Sequence, residues 1–106
     1  MHPVLSHGAV LLGLLAAAGT AQAQTQDPNQ ARNLAATCAN CHGTEGRARG
    51  DMKPLAGVPA AKITAMLADY KSGAQTATIM HQIAKGYTDE QIRLMAAFFA
   101  AQPAGK

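Results

Sequence analysis

Five consecutive residues, Cys38-Ala39-Asn40-Cys41-His42, carry the densest chemistry in the chain and contain both of its cysteines. Two thiols separated by two residues and followed at once by an imidazole form the C-x-x-C-H pattern of covalent haem attachment. The thiols can add to the two vinyl groups along one edge of a porphyrin, while the next residue meets the iron from one side. Other uses of the same atoms fit less well. A redox-active C-x-x-C belongs beside a βαβ pattern, and no strand pattern is visible in this chain. Zinc needs a fourth ligand beyond Cys38, Cys41 and His42, and a plain structural disulfide leaves His42 without a task. The residues point to one haem c, attached through Cys38 and Cys41 and ligated by His42.

An electron-transfer haem takes a second axial ligand, with Met and His the usual donors. Met66 and Met95 fall in phase with the apolar faces of their helices and read as core packing. Met52 lies ten residues past His42, in the loop leaving the proximal side, a poor position from which to reach the other face. Met80 stands in a short segment between two helices, where the chain can lay a thioether over the ring, and it is the expected sixth ligand. His81 is the rival, and its plainer reading is a surface residue. Only one of two adjacent residues in a helical turn can face the iron. With both axial positions filled by protein and no nucleophile–base pair elsewhere, the expected chemistry is single-electron transfer rather than catalysis.

Those residues need elements to hold them. Asp27-Pro28-Asn29-Gln30 places an acid before proline, with Gln three residues on, the signature of a helix start. Ala31, Leu34, Ala35 and Cys38 follow at helical spacing, so one narrow apolar face is expected to run into the cysteine segment. Residues 43–57 mix glycines, a proline and charges without period and read as a loop wrapped around something. Pro59 is expected to open the next helix, in which Ile63, Met66, Leu67 and Tyr70 recur at helical spacing before the stop at Gly73. Residues 74–86 are expected to contribute one or two helical turns. Thr88-Asp89-Glu90-Gln91 forms a capping box ahead of Ile92, Met95, Ala96 and Phe99, and the last helix is expected to run to about Ala101. The fold class expected is all-α, three to four helices around one covalently bound haem.

Ahead of these elements, Gly8 to Ala18 is apolar and uncharged and is followed by Ala21-Gln22-Ala23, an A-x-A cleavage pattern. Residues 1–23 are therefore expected to be a cleaved signal peptide. The run is shorter than the roughly 20 residues a spanning helix needs, so a periplasmic protein without stable membrane insertion is expected. The domain that remains, 24–106, has 83 residues, a size at which a hydrophobic core alone supplies only ~3–5 kcal/mol. Its aromatic residues are Tyr70, Tyr87, Phe98 and Phe99, with no Trp, whereas alanine and glycine are plentiful. A haem would supply the missing apolar volume. The net charge of +3 comes without a basic run interleaved with aromatics, which argues against a nucleic-acid surface.

Residues 24–106 resemble class I c-type cytochromes, with the haem site near the N-terminus and an axial Met in the second half. Within that class the chain is similar to the cytochrome subunit of flavocytochrome c sulfide dehydrogenase. The similarity rests on Leu34-Ala35-Ala36-Thr37-Cys38-Ala39-Asn40-Cys41-His42-Gly43-Thr44, on Tyr70-Lys71-Ser72-Gly73, and most specifically on Thr78-Ile79-Met80-His81-Gln82-Ile83-Ala84-Lys85-Gly86-Tyr87. The resemblance implies Met80 as the axial ligand and Tyr87, closing the last block, as a further haem-binding residue. It also implies that Pro54, in Lys53-Pro54-Leu55-Ala56-Gly57, borders the haem and offers its carbonyl to the His42 imidazole. The implied partner is a flavoprotein sulfide dehydrogenase subunit that performs the substrate chemistry and hands electrons to the cytochrome. Such subunits are often two-domain and di-haem, and the single attachment motif here matches half of one. The alternative is a free soluble periplasmic shuttle between respiratory or photosynthetic redox partners.

Overall fold

The computed structural model describes residues 27–104, and the expected signal segment with its cleavage after Ala23 lies outside the described residues. Five helices and one short 3-10 turn follow in order: α1 (Gln30–Ala36), α2 (Ala39–His42), the 3-10 turn (Thr44–Gly46), α3 (Ala60–Ser72), α4 (Met80–Lys85) and α5 (Asp89–Ala100). No strand occurs among the described residues, as the all-α reading requires. The helix count exceeds the expected three to four because the first helix is divided.

The division has a local cause. Thr37 turns its hydroxyl back onto the Leu34 carbonyl at 3.1 Å, the side-chain bond by which Thr competes with a helical ladder. The Cys38 N–H then reaches only three residues back, to the Ala35 carbonyl at 3.0 Å, and a new turn opens on the Cys38 carbonyl, which accepts from the His42 N–H at 2.8 Å. The start also comes later than expected. Asp27 Oδ1 accepts the Asn29 N–H at 2.8 Å, so the acid closes a turn and the helix begins at Gln30.

The other ends follow their sequence signals. Pro59 is the N-cap of α3, and Gly73 ends it with φ +85°, a left-handed conformation that suits glycine. At α5, Thr88 Oγ1 accepts the Gln91 N–H at 3.1 Å and Gln91 Oε1 accepts the Thr88 N–H at 2.9 Å, a complete capping box.

Helices α1 and α3 both pack on α5, and the core where they meet is Ala35, Ile63, Ile92, Met95, Ala96 and Phe99. Met95 thus takes the core position its phase gave it. Met66 does not: it is half-buried and outside that cluster. At about 100° per residue, Met66 lies about 60° to one side of Ile63 and Leu67 about 40° to the other, and α3 turns the Leu67 side toward the core. Helix α4 packs along α3 and buries Ala84. Among the described residues no helix is long and apolar enough to cross a membrane.

The loop 43–57 is folded back on itself. The Gly46 carbonyl accepts from the Leu55 N–H at 2.8 Å and the Ala56 N–H at 3.1 Å, and the Gly57 N–H donates to the Phe99 carbonyl at 2.9 Å. Gly46 has φ +78°, and a Cβ there would stand 2.8 Å from both Ala56 N and Phe99 Cδ1. The loop is therefore pinned to α5 at the one residue type that allows the approach.

Candidate functional site

Helix α2 is a single turn with Cys38 as its N-cap and His42 as its last residue. Residues three and four apart lie on one side of a helix, so Cys38, Cys41 and His42 share that side. Cys38 is half-buried and Cys41 exposed. Burial pushes the Cys38 thiol up, opposite to the lowered value a redox-active C-x-x-C thiol needs. Among the described residues no three His, Cys, Asp or Glu side chains gather to hold an ion.

His42 is held by the returning loop. Its Nδ1 lies 2.8 Å from the Lys53 carbonyl oxygen. A carbonyl can only accept, so the proton sits on Nδ1 and the lone pair on Nε2. This corrects the expectation that Pro54 supplies the carbonyl: the acceptor is one residue earlier. The physical reason is the proline itself, whose ring drives the preceding residue into extended backbone and so sets the direction of the Lys53 carbonyl. That restriction is written in the sequence and was the signal available.

On the other side, Met80 is the first residue of α4, following Ile79, an N-cap without a side-chain hydrogen bond. Met80 is half-buried. His81 departs from the expected surface residue: its side chain is half-buried, and Nδ1 is sealed from solvent with no hydrogen-bond partner. Two large apolar side chains stand exposed, Met52 at 43% and Ile79 at 56%, each next in sequence to a residue of the candidate site, Lys53 and Met80.

Tyr87 joins the two sides. It packs against the core cluster, and its hydroxyl lies 2.7 Å from Thr37 Oγ1, the residue before Cys38. Lys71 Nζ donates to the Tyr87 carbonyl at 2.6 Å. The Tyr87 hydroxyl is thus engaged with Thr37, and Thr37, Lys53 and Lys71 are contributors that sequence reading did not single out.

The donor set fits a c-type haem on two observations: an imidazole with its Nδ1–H committed to a backbone carbonyl, which fixes ring orientation and ligand basicity, and two cysteines on that imidazole's side of one turn. A separate cavity of about 180 Å³ lies between α1, Glu45 and Phe98, and none of Cys38, Cys41, His42 or Met80 lines it. Glu45 there meets Arg47 at 2.5 Å and Arg32 at 4.0 Å, so its charge is already answered.

The cytochrome c family profile matches residues 29–102. The chain belongs to the cytochrome c family. Membership implies a covalently bound haem c and makes this cytochrome an electron carrier. It is 41% identical to the cytochrome subunit of sulfide dehydrogenase from Chlorobaculum tepidum over 62% of this chain and 60% of that protein. It is 35% identical to the thiosulfate dehydrogenase electron acceptor of Stutzerimonas stutzeri over 96% of this chain and 48% of that one. Cytochrome c-553 of Helicobacter pylori is 37% identical over 82% of this chain and 88% of its own length. The cytochrome therefore spans between about half and three-fifths of the first two relatives. A solved cytochrome c4 from Acidithiobacillus ferrooxidans superposes with TM-score 0.61 at 28% identity, over 68% of this chain and 49% of that one. The class I resemblance, and the likeness to the sulfide dehydrogenase subunit, are both borne out.

Proposed function

We propose that this is a periplasmic mono-haem cytochrome that accepts single electrons from a flavoprotein sulfide dehydrogenase. In this reading Cys38 and Cys41 form the two thioethers, His42 Nε2 and Met80 Sδ are the axial ligands, and Pro54 and Tyr87 border the haem pocket. When bound, the haem supplies the one-electron couple. The protein's residues do the rest: Lys53 orients His42, α4 presents Met80, and the exposed Met52 and Ile79 offer apolar contact to a partner. Export rests on the apolar run and A-x-A pattern of residues 1–23, and the single haem on the single C-x-x-C-H motif.

The observation that carries the site is the His42–Lys53 bond, which leaves Nε2 free beside the two cysteines. The partner rests on the 41% identity to a sulfide dehydrogenase cytochrome subunit. The second reading, a free shuttle, draws support from cytochrome c-553, a relative of which this chain covers 88%. A pull-down of tagged, haem-loaded protein from its native periplasm separates them, read by flavin fluorescence and mass spectrometry. A stoichiometric flavoprotein supports the subunit; recovery of the lone cytochrome supports the shuttle.

A further inference from the structure

Met80 sits at the looser end of its element. Helix α4 has six residues, begins at an uncapped and largely exposed Ile79, and buries only Ala84. Its other end is fastened from several directions through Tyr87. The Tyr87 N–H donates to the Ala84 carbonyl at 3.2 Å, and its carbonyl accepts from Lys71 Nζ at 2.6 Å, so Tyr87 moves with α4 and is tied to the end of α3. Lys71 Nζ also meets Asp89 Oδ1 at 3.6 Å.

The remaining attachment crosses the molecule. Thr37 Oγ1 has one proton, which goes to the Leu34 carbonyl at 3.1 Å, since a carbonyl only accepts. Tyr87 is then the donor in the 2.7 Å contact with Thr37 Oγ1. This bond joins residues fifty apart in sequence, and Thr37 is the residue immediately before Cys38.

We infer that Tyr87 is a positioning residue whose O–H···Thr37 bond latches the Met80-bearing segment to the haem-attachment turn and so keeps Met80 on the iron. The inference rests on the proposed reading of Met80 as sixth ligand. An interaction biases an equilibrium only by the difference it makes between the two states, so the latch acts by being closed with Met80 bound and open when Met80 swings away.

The test uses purified, haem-loaded ferric protein titrated with imidazole, which takes the sixth position as the Met80 thioether leaves. Loss of the thioether-to-iron charge-transfer band reports the exchange. Tyr87→Phe and Thr37→Val should each retain the band without imidazole yet need about two- to fivefold less imidazole at the midpoint, the ratio set by one hydrogen bond of ordinary net strength. The double variant should shift no further than either single, because both remove the same bond. Ile92→Val, a core change that leaves both partners of the latch bond intact, should lower the thermal midpoint and leave the imidazole midpoint in place. An unmoved midpoint in both Tyr87→Phe and Thr37→Val overturns the latch, as does an equal shift in Ile92→Val, which would mark general loosening. If the wild-type ferric protein lacks the band, the Met80 reading fails and the latch falls with it; a band present with unmoved midpoints sinks the latch alone.

Discussion

An imidazole can serve an iron only through a nitrogen that keeps its lone pair, and at His42 the Lys53 carbonyl decides which nitrogen that is. Because Lys53 acts through its backbone, Lys53→Ala should leave haem incorporation and spectrum unchanged. Pro54→Gly frees the Lys53 backbone from the restriction that proline imposes and should weaken the bond, lowering the basicity of His42 and raising the reduction potential; an unshifted potential in Pro54→Gly by voltammetry would contradict this role. At the cysteines, Cys41→Ala would remove one of the two proposed thioethers, and the expected result is loss of normal two-bond attachment, read by the pyridine haemochrome spectrum. Full incorporation with an unchanged spectrum would contradict the assignment. Met80→Ala is expected to abolish the thioether-to-iron band and His81→Ala to retain it. The sealed, unpartnered Nδ1 of His81 makes this comparison more than formal, since a band surviving in the Met80 variant would move the ligand elsewhere.

Elements differ in how far they can be read from their own residues. The capping box at Thr88 and Gln91, the stop at Gly73 and the start after Pro59 are local bonds or local conformations, and each was legible in sequence. The break at Thr37 was not, because helical spacing from Ala31 to Cys38 is the same whether or not a Thr hydroxyl turns back on Leu34. The Lys53 carbonyl and the Thr37–Tyr87 bond are tertiary, reached only when the loop returns and α4 is placed, so the family resemblance stopped one residue away at Pro54, and nothing local marked the bond between Thr37 and Tyr87. Two glycines separate local from tertiary demands in a measurable way. Gly46 and Gly73 both have positive φ, but a Cβ at Gly46 meets Ala56 N and Phe99 Cδ1 at 2.8 Å while one at Gly73 meets nothing within 4 Å. Gly73→Ala should cost only the backbone term, about 1–2 kcal/mol. Gly46→Ala adds overpacking and should cost ~2–4 kcal/mol. Equal shifts in denaturant midpoint would show that the loop yields at Gly46 and that it is not pinned to α5 as drawn.

At the scale of the molecule the buried set is thin. Of the eight hydrophobic residues buried among the described ones, four are alanines, and only Ile63, Ile92, Met95 and Phe99 are large. No polar or charged residue is buried among them, so no interior polar network makes up the difference. A domain as small as the described residues 27–104 rarely gains more than ~3–5 kcal/mol from its own core, and alanine adds little apolar area to that. The covalent haem implied by family membership would supply a large apolar body and, attached at Cys38 and Cys41 as proposed, would tie α2 to the element that meets its other face. The double variant Cys38→Ala with Cys41→Ala, produced without attached haem, should therefore show weak helical circular dichroism and no cooperative thermal transition, whereas the haem-loaded protein should melt in a single step. A cooperative melt of the haem-free variant close to that of the loaded protein would mean that α1, α3 and α5 hold together unaided. The cofactor would then be a passenger in a finished fold, and the abundance of alanine would need a different cause.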